Sequence, residues 1–212
     1  MELLHRVVGP VATNLYVLAD EASREAIAID TATPCVGWLT ERLAERGWTL
    51  KLIVSTHWHW DHVGDNAAVV AATGAEIAAH ASDRHYIEHP PQMSAPFPVP
   101  PSVPAIDLAE GGVVRFGSIT LEVLHTPGHT AGSVCLLARD EGLLFAGDTL
   151  FAGGFGRVDL PGASPESMVD SLSRLSRLEG QLAVRPGHGP ASTVERERPL
   201  LRMIAERRSL TF

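Results

Sequence analysis

The chain has 212 residues, 45% of them hydrophobic and 20% charged, a balance that suits a globular protein with a substantial core and excludes disordered and collagen-like classes. Its formal net charge of -8 is the opposite of the basic stripe that a phosphate backbone requires, so no nucleic-acid partner is expected. No apolar run approaches bilayer length, and Met1-Glu2-Leu3-Leu4-His5-Arg6 lacks the basic start and apolar core of an export signal, so the expectation is a cytoplasmic protein with no membrane partner.

Short apolar strands alternate with amphipathic helices along most of the chain. The pattern predicts strands over 14–19 and 26–29, a helix over 36–45, a strand over 52–55, a helix over 64–72, a strand over 76–79 and a helix over 82–88. Residues 89–104 differ. Pro90, Pro91, Pro96, Pro98, Pro100, Pro101 and Pro104 forbid regular structure there, while Met93, Phe97 and Val99 offer apolar contacts. The stretch reads as a passive surface loop, with a substrate-shaping lid as the alternative. Strands follow over 119–124, 134–138 and 143–146, then a helix over 165–178, a strand over 183–185 and a helix over 194–208, in which Pro199 predicts a kink or an early break. This order predicts a layered α/β sandwich with helices outside. Cys35 and Cys135 are the two cysteines. Cys135, inside an apolar run, reads as a small buried hydrophobe, and Cys35 sits at a helix start, where a thiol pKa can fall. Neither is expected to bind metal.

The chemistry concentrates in Thr56-His57-Trp58-His59-Trp60-Asp61-His62, directly after the apolar run Leu52-Ile53-Val54-Ser55. In extended backbone, side chains alternate with a period of two, which predicts His57, His59 and Asp61 on one side, with His62 and Gly64 turning into the next helix. Histidine clustering this dense is typical of metal sites. Three later strands repeat one construction: 119–124 leads to Gly128-His129, 143–146 to Gly147-Asp148, and 183–185 to Gly187-His188. Glycine allows a sharp turn and a close backbone approach, and strand ends are where open α/β layers place their sites. Imidazole and carboxylate donors suit zinc, iron or manganese. His5, His80, His85, His89 and His125 lack this context; His80 is expected in a packed or supporting role, and His125 behind a ligand.

These residues resemble the metallo-β-lactamase superfamily, and within it the glyoxalase II-like hydrolases. The matching motifs are Thr56-His57-x-His59-x-Asp61-His62, Thr126-Pro127-Gly128-His129-Thr130, Gly147-Asp148-Thr149 and Pro186-Gly187-His188-Gly189, in the family's order. The resemblance implies a four-layer αββα sandwich over 1–212, without a separate C-terminal glutathione-binding domain. It implies His57, His59 and His129 as ligands of one metal, Asp61, His62 and His188 as ligands of a second, and Asp148 bridging both, with zinc first and iron or manganese as alternatives. True β-lactamases of the best-known type carry a cysteine ligand that Cys135 does not match, so antibiotic hydrolysis is not implied as the main activity. Gly153-Gly154-Phe155-Gly156-Arg157 is similar to the glycine-rich loop after the bridging aspartate, which makes Arg157 a candidate substrate anchor with Phe155 beside it.

The chain departs from full-length glyoxalase II enzymes at several positions. Only residues 189–212 follow the last ligand, Gly189-Pro190 replaces an aromatic-bearing motif, Phe155 stands where related enzymes often have cysteine, and Asp65 replaces a second glycine after Gly64. The likeness is therefore to the short bacterial members, for which glutathione as thiol carrier is not implied. Two ions sharing a water bring its pKa toward neutrality, so the expected reaction is attack of a metal-bridging hydroxide on a small-molecule thioester. Asp61 and Asp148 are the expected catalytic carboxylates, orienting that water. The rival reading is persulfide dioxygenation at one iron held by His57, His129 and Asp148. A lactonase or esterase, and a metal-stabilised binding module, complete the alternatives.

Overall fold

Alternation decides which layer each residue joins. Strand β2 (Thr13–Asp20) is buried at every position because its two faces meet different layers. Tyr16 and Leu18 enter one apolar cluster, whereas Leu15, Val17 and Ala19 enter another. Strand β9 (Val134–Ala138) does the same: Val134, Leu136 and Ala138 face the first cluster, and Cys135 and Leu137 a third. The computed structural model describes residues 1–91 and 95–211. Met93, named above for apolar contacts, lies outside the described residues.

The first sheet has the order β1-β2-β3-β4-β5-β6, with β1 (Glu2–Val8), β3 (Glu25–Ile29), β4 (Thr49–Val54), β5 (Glu76–His80) and β6 (Ile106–Leu108). The second runs β12-β11-β10-β9-β8-β7, with β7 (Val113–Phe116), β8 (Ile119–His125), β10 (Leu143–Gly147), β11 (Ala183–Pro186) and β12 (Ser192–Thr193). Phe145, Leu121 and Leu136 of the second sheet meet Ile27, Ile29 and Val54 of the first in the central core. Helices α1 (Val36–Arg46) and α3 (Asn66–Thr73) cover the outer face of the first sheet, and α5 (Pro165–Leu175) and α6 (Val194–Arg207) that of the second. The architecture is thus the four-layer αββα sandwich. No helix among the described residues is long and apolar enough to cross a membrane.

Several details depart from the sequence reading. Strands β1, β6, β7 and β12 were not expected, nor was the single turn α2 (Trp60–Val63). Helix α6 continues through Pro199. A mid-helix proline costs about 3 kcal/mol, but Val194, Leu201 and Ile204 are fully buried on the second sheet, at roughly 1.5–3 kcal/mol each. Helix α3 starts at Asn66, two residues later than expected, because Asp65 is occupied elsewhere. Its carboxylate accepts hydrogen bonds from Thr33 Oγ1 (2.5 Å) and from the backbone N–H groups of Cys35 (2.6 Å) and Val36 (3.1 Å), capping the neighbouring helix α1. The Cys35 thiol is correspondingly pushed up, by burial and by the Asp65 charge, not lowered. In the described part of 89–104, Val99 is buried and Phe97 meets Trp60 edge-on at 5.3 Å.

Candidate metal centre

The C-terminal ends of β4, β8, β10 and β11 converge at one edge of the sandwich. His57 and His59 follow β4 in non-helical backbone, but α2 begins at Trp60. The period-two alternation therefore ends at His59, and Asp61 and His62 are aimed by a helical turn instead. Beyond β8, β10 and β11 come His129, Asp148 and His188. Backbone pairing between the sheets fixes the last loop: Thr13 bridges to His188, and the Asn14 N–H donates to Gly187 O at 2.7 Å. The Asn14 side-chain amide and the Tyr16 hydroxyl both donate to Pro186 O at 2.9 Å.

All seven of the expected donors meet here. Three overlapping groups have donor atoms within 4.8 Å of one another: His57, His59 and His129; His57, His62 and Asp148; and Asp61, His62 and His188. Asp148 lies between the first and third, with Oδ2 3.4 Å from His129 Nε2 and 3.5 Å from His188 Nε2, and Oδ1 3.5 Å from His62 Nε2. Asp61 Oδ2 is 3.1 Å from His188 Nε2 and 3.3 Å from His62 Nε2.

Outer partners hold the rings with one nitrogen turned inward. His62 Nδ1 meets Asp30 Oδ2 at 2.9 Å, His129 Nδ1 meets Arg157 O at 2.8 Å, His188 Nδ1 meets Val11 O at 3.1 Å, and His57 Nδ1 meets Thr56 Oγ1 at 3.1 Å. In each, Nε2 is left for the centre, the arrangement that fixes tautomer and orientation at metal sites. His59 is reversed, presenting Nδ1 at 2.8 Å from His129 Nε2. Thr13 Oγ1 donates to Asp61 Oδ2 at 2.9 Å.

The donor set fits divalent cations. His57 Nε2 and Asp148 Oδ1 are buried without a hydrogen-bond partner among the described residues, a cost of roughly 1–3 kcal/mol per group unless something satisfies it. Both belong to the same donor group, so one cation between them would satisfy both.

Gly187 closes the cradle. A Cβ there would lie 2.2 Å from Asp148 Oδ1 and 2.7 Å from His62 Cε1. Gly187→Ala is therefore expected to displace the carboxylate and weaken metal binding by roughly tenfold or more with unchanged circular dichroism. Chelator competition measures this, and wild-type affinity would contradict it.

Electrostatics divides the cluster. Burial, with His62, His59 and His129 adjacent, holds His57 well below the usual histidine range. Burial with His129 and His62 brings His59 down to about 3, and burial lowers His129 against the pull of Asp148. His62 is equally buried, yet Asp61, Asp148 and Asp30 raise it well above the usual range. Burial also lowers His188, but hydrogen bonding to Asp61 and the charge of Asp148 outweigh it and raise the group. Burial pushes the Asp148 carboxyl up; at Asp61 burial acts in the same sense but is outweighed by His62 and His188, and the group is held far below the carboxylate range. Histidine binds metal only when neutral. A raised pKa means protons compete from higher pH, so the ion at Asp61, His62 and His188 is expected to leave first on acidification. The ion at His57, His59 and His129 should persist to lower pH. Metal content after dialysis at stepwise lower pH checks this, and loss of both ions in one step would contradict it.

Other residues take less expected places. Arg157 and Phe155 both line the cavity over the cluster, but the Arg157 guanidinium is largely exposed and paired with Asp159, through Nε and Nη2 at 2.9 Å each. Its backbone carbonyl, not its charge, touches a candidate ligand. His125 does not stand behind a ligand; it stacks on His80 at 4.0 Å, and its Nε2 meets Ala131 O. His80 accepts from the Ser82 N–H at the start of α4 (Ala81–Glu88). Sequence reasoning missed Asp30 and Asp83. The Asp83 carboxylate, buried and pushed by that burial up to about 6, accepts from Trp58 N–H, Thr130 Oγ1 and Gly132 N–H, tying the two histidine loops to α4.

The model for the metallo-beta-lactamase superfamily matches residues 8–189. An uncharacterized protein of Aquifex aeolicus is 37% identical over 199 residues, covering 90% of this chain and 91% of that one. A hydroxyacylglutathione hydrolase of Cereibacter sphaeroides is 39% identical over 193 residues, covering 88% of this chain and 69% of its own length. Among solved structures, the B3 metallo-beta-lactamase BLEG-1 is 31% identical with a TM-score of 0.84, covering 94% of this chain and 99% of that one. ETHE1 from Myxococcus xanthus is 27% identical at 0.83, covering 97% and 85%. TTHA1623, in a di-iron-bound form, is 33% identical at 0.82, covering 92% and 96%.

Proposed function

We propose that this chain, which belongs to the metallo-β-lactamase superfamily, is a metal-dependent hydrolase of the glyoxalase II-like kind that cleaves a hydroxyacyl thioester. One observation carries the reading: the Asp148 carboxylate lies between a triad of three imidazoles, His57, His59 and His129, and a triad of Asp61, His62 and His188, and its Oδ1 is buried without a hydrogen-bond partner among the described residues. The name of the Cereibacter sphaeroides relative supports the substrate class, and zinc is the metal that this nitrogen and oxygen set suits first.

His57, His59 and His129 would hold one ion, Asp61, His62 and His188 the second, with Asp148 between them. Divalent ions supply Lewis acidity, polarising a carbonyl and bringing the pKa of water toward neutrality. The protein's own part is to orient. Asp30, Arg157 O and Val11 O fix three imidazoles, and Thr13 fixes the Asp61 carboxylate. Trp58, Trp60 and Phe155 line the cavity beside the cluster. We further propose that residues 1–212 act as one catalytic domain in the cytoplasm, on a small molecule and not on nucleic acid or membrane.

Hydrolysis of S-lactoylglutathione as the reference thioester, by protein of known metal content, tests the reaction. Turnover by the two-zinc form is expected, and a two-zinc protein inert to every thioester would overturn it. A second reading is persulfide dioxygenation at one iron; the di-iron-bound form of TTHA1623 supports it only in that a similar chain holds iron. Two such two-histidine, one-carboxylate groups close within 4.8 Å among the described residues, His57, His62 and Asp148, and Asp61, His62 and His188; neither is the set with His129 expected from sequence. Oxygen consumption with a persulfide by the iron-loaded protein would favour that reading.

A further inference from the structure

A cavity of about 740 Å³ opens over the histidine and aspartate cluster. Trp58, Trp60, Tyr86, Phe151 and Phe155 line it, so five of the chain's twelve Phe, Trp and Tyr residues meet at one place. The walls are braced. Trp58 stacks on Tyr86 at 4.6 Å with an interplanar angle of 27°, and Trp60 stands edge-on to Phe97. Val11 and Leu160 add aliphatic surface. Rings held by other rings lose little freedom when a ligand packs on them, which favours a rigid apolar guest.

The charge of the lining points the same way. Among the described residues that line the cavity, Arg157 is the one Lys or Arg side chain. Both carboxylate oxygens of Asp159 already engage it. Asp159 takes two of the five guanidinium N–H donors and offsets its charge, so an incoming carboxylate would meet a cation already paired, in a chain whose net charge is -8. A glutathione thioester brings two carboxylates against one ammonium and finds no ready cationic seat here.

We propose that this cavity selects thioesters whose larger non-reacting part is uncharged and aromatic or branched-alkyl, and that it disfavours thiol carriers with free carboxylates, glutathione among them. The reaction rests on the thioester reading above; the substrate class rests on the cavity. Apolar pockets of this kind fix affinity through shape and area, with a few polar groups setting orientation, and His59, Asp61, His129, Asp148 and His188 of the candidate metal centre are among the lining of this one.

Non-cleavable thioethers separate the two claims. Binding to the zinc-loaded protein, read by tryptophan fluorescence and calorimetry, is measured for S-methyl- and S-benzyl-N-acetylcysteamine and for S-benzylglutathione at low ionic strength. The benzyl group on the neutral carrier is expected to tighten binding by about tenfold or more over methyl. The same benzyl group on glutathione should bind at least about tenfold more weakly than on N-acetylcysteamine. Phe155→Ala should cut the benzyl gain by about threefold or more. A benzyl gain below about threefold in the wild-type protein, or equal or tighter binding of S-benzylglutathione, would overturn the proposal. Thioesters of the same carriers then test the reaction. Ligand preference as expected without thioester cleavage would sink the reaction and leave the substrate class standing, whereas cleavage with a preference for glutathione would do the reverse.

Discussion

Asp148→Ala is expected to remove one or both metal ions and to lower turnover of the proposed thioester substrate on the order of 10³-fold or more. Among the described residues, Asp148 is the one carboxylate paired with donors of both outer triads: His129 from the first, His62 and His188 from the third. Its loss leaves those imidazoles converging on a centre with less negative charge to offset two divalent ions, and inward-facing nitrogens repel without a cation between them. Asp148→Asn separates shape from charge, since it keeps the volume and loses the anion. Both variants should lose metal together with activity, while thermal unfolding of the metal-free proteins stays close to that of the metal-free wild type. An alanine variant that retains two ions and normal turnover would refute the role of this residue.

Asp30→Ala is expected to cost about 3–5 kcal/mol of stability and about 10- to 100-fold in metal affinity. Asp30 is buried, and its carboxylate accepts from Thr56 N–H (2.8 Å), Thr56 Oγ1 (2.8 Å) and His62 Nδ1 (2.9 Å). Alanine would strand three buried donors, each costing roughly 1–3 kcal/mol when unsatisfied. The backbone adds to this: Asp30 has φ +61°, a region that aspartate and asparagine tolerate better than alanine. Asp30→Asn keeps the backbone preference and one acceptor, so it should lose less stability while still weakening the hold on His62. Urea unfolding of the metal-free proteins and chelator competition measure the two effects separately. Wild-type behaviour in both would contradict the assignment.

The seven clustered donors were legible because each follows an apolar strand at a point where the chain must turn. Gly128, Gly147 and Gly187 announce those turns in the sequence, and the His57–His62 run is dense enough to stand alone. The buried strands were legible for a related reason, since two covered faces leave nearly continuous apolar runs such as 134–138. What escaped notice has a different physics. Strand β1 sits at a sheet edge with Arg6 and Val7 exposed, so its composition is not that of a core strand. Strands β6 and β12 span three and two residues, too few to show a period. Asp30 and Asp83 look like ordinary turn or helix residues, because their partners Thr56, His62, Trp58, Thr130 and Gly132 stand 25 to 49 positions away in the chain. Helix α2 is a single turn, and it alone redirects Asp61 from the pleat that the sequence suggested.

The metal content of the purified chain, dialysed against excess zinc at neutral pH and then against metal-free buffer, bears most directly on this picture. Two ions per chain are expected, falling to one or none in Asp148→Ala and to one in His188→Ala. A wild-type protein that keeps no zinc, iron or manganese under these conditions would mean that the converging imidazoles and carboxylates serve some other purpose.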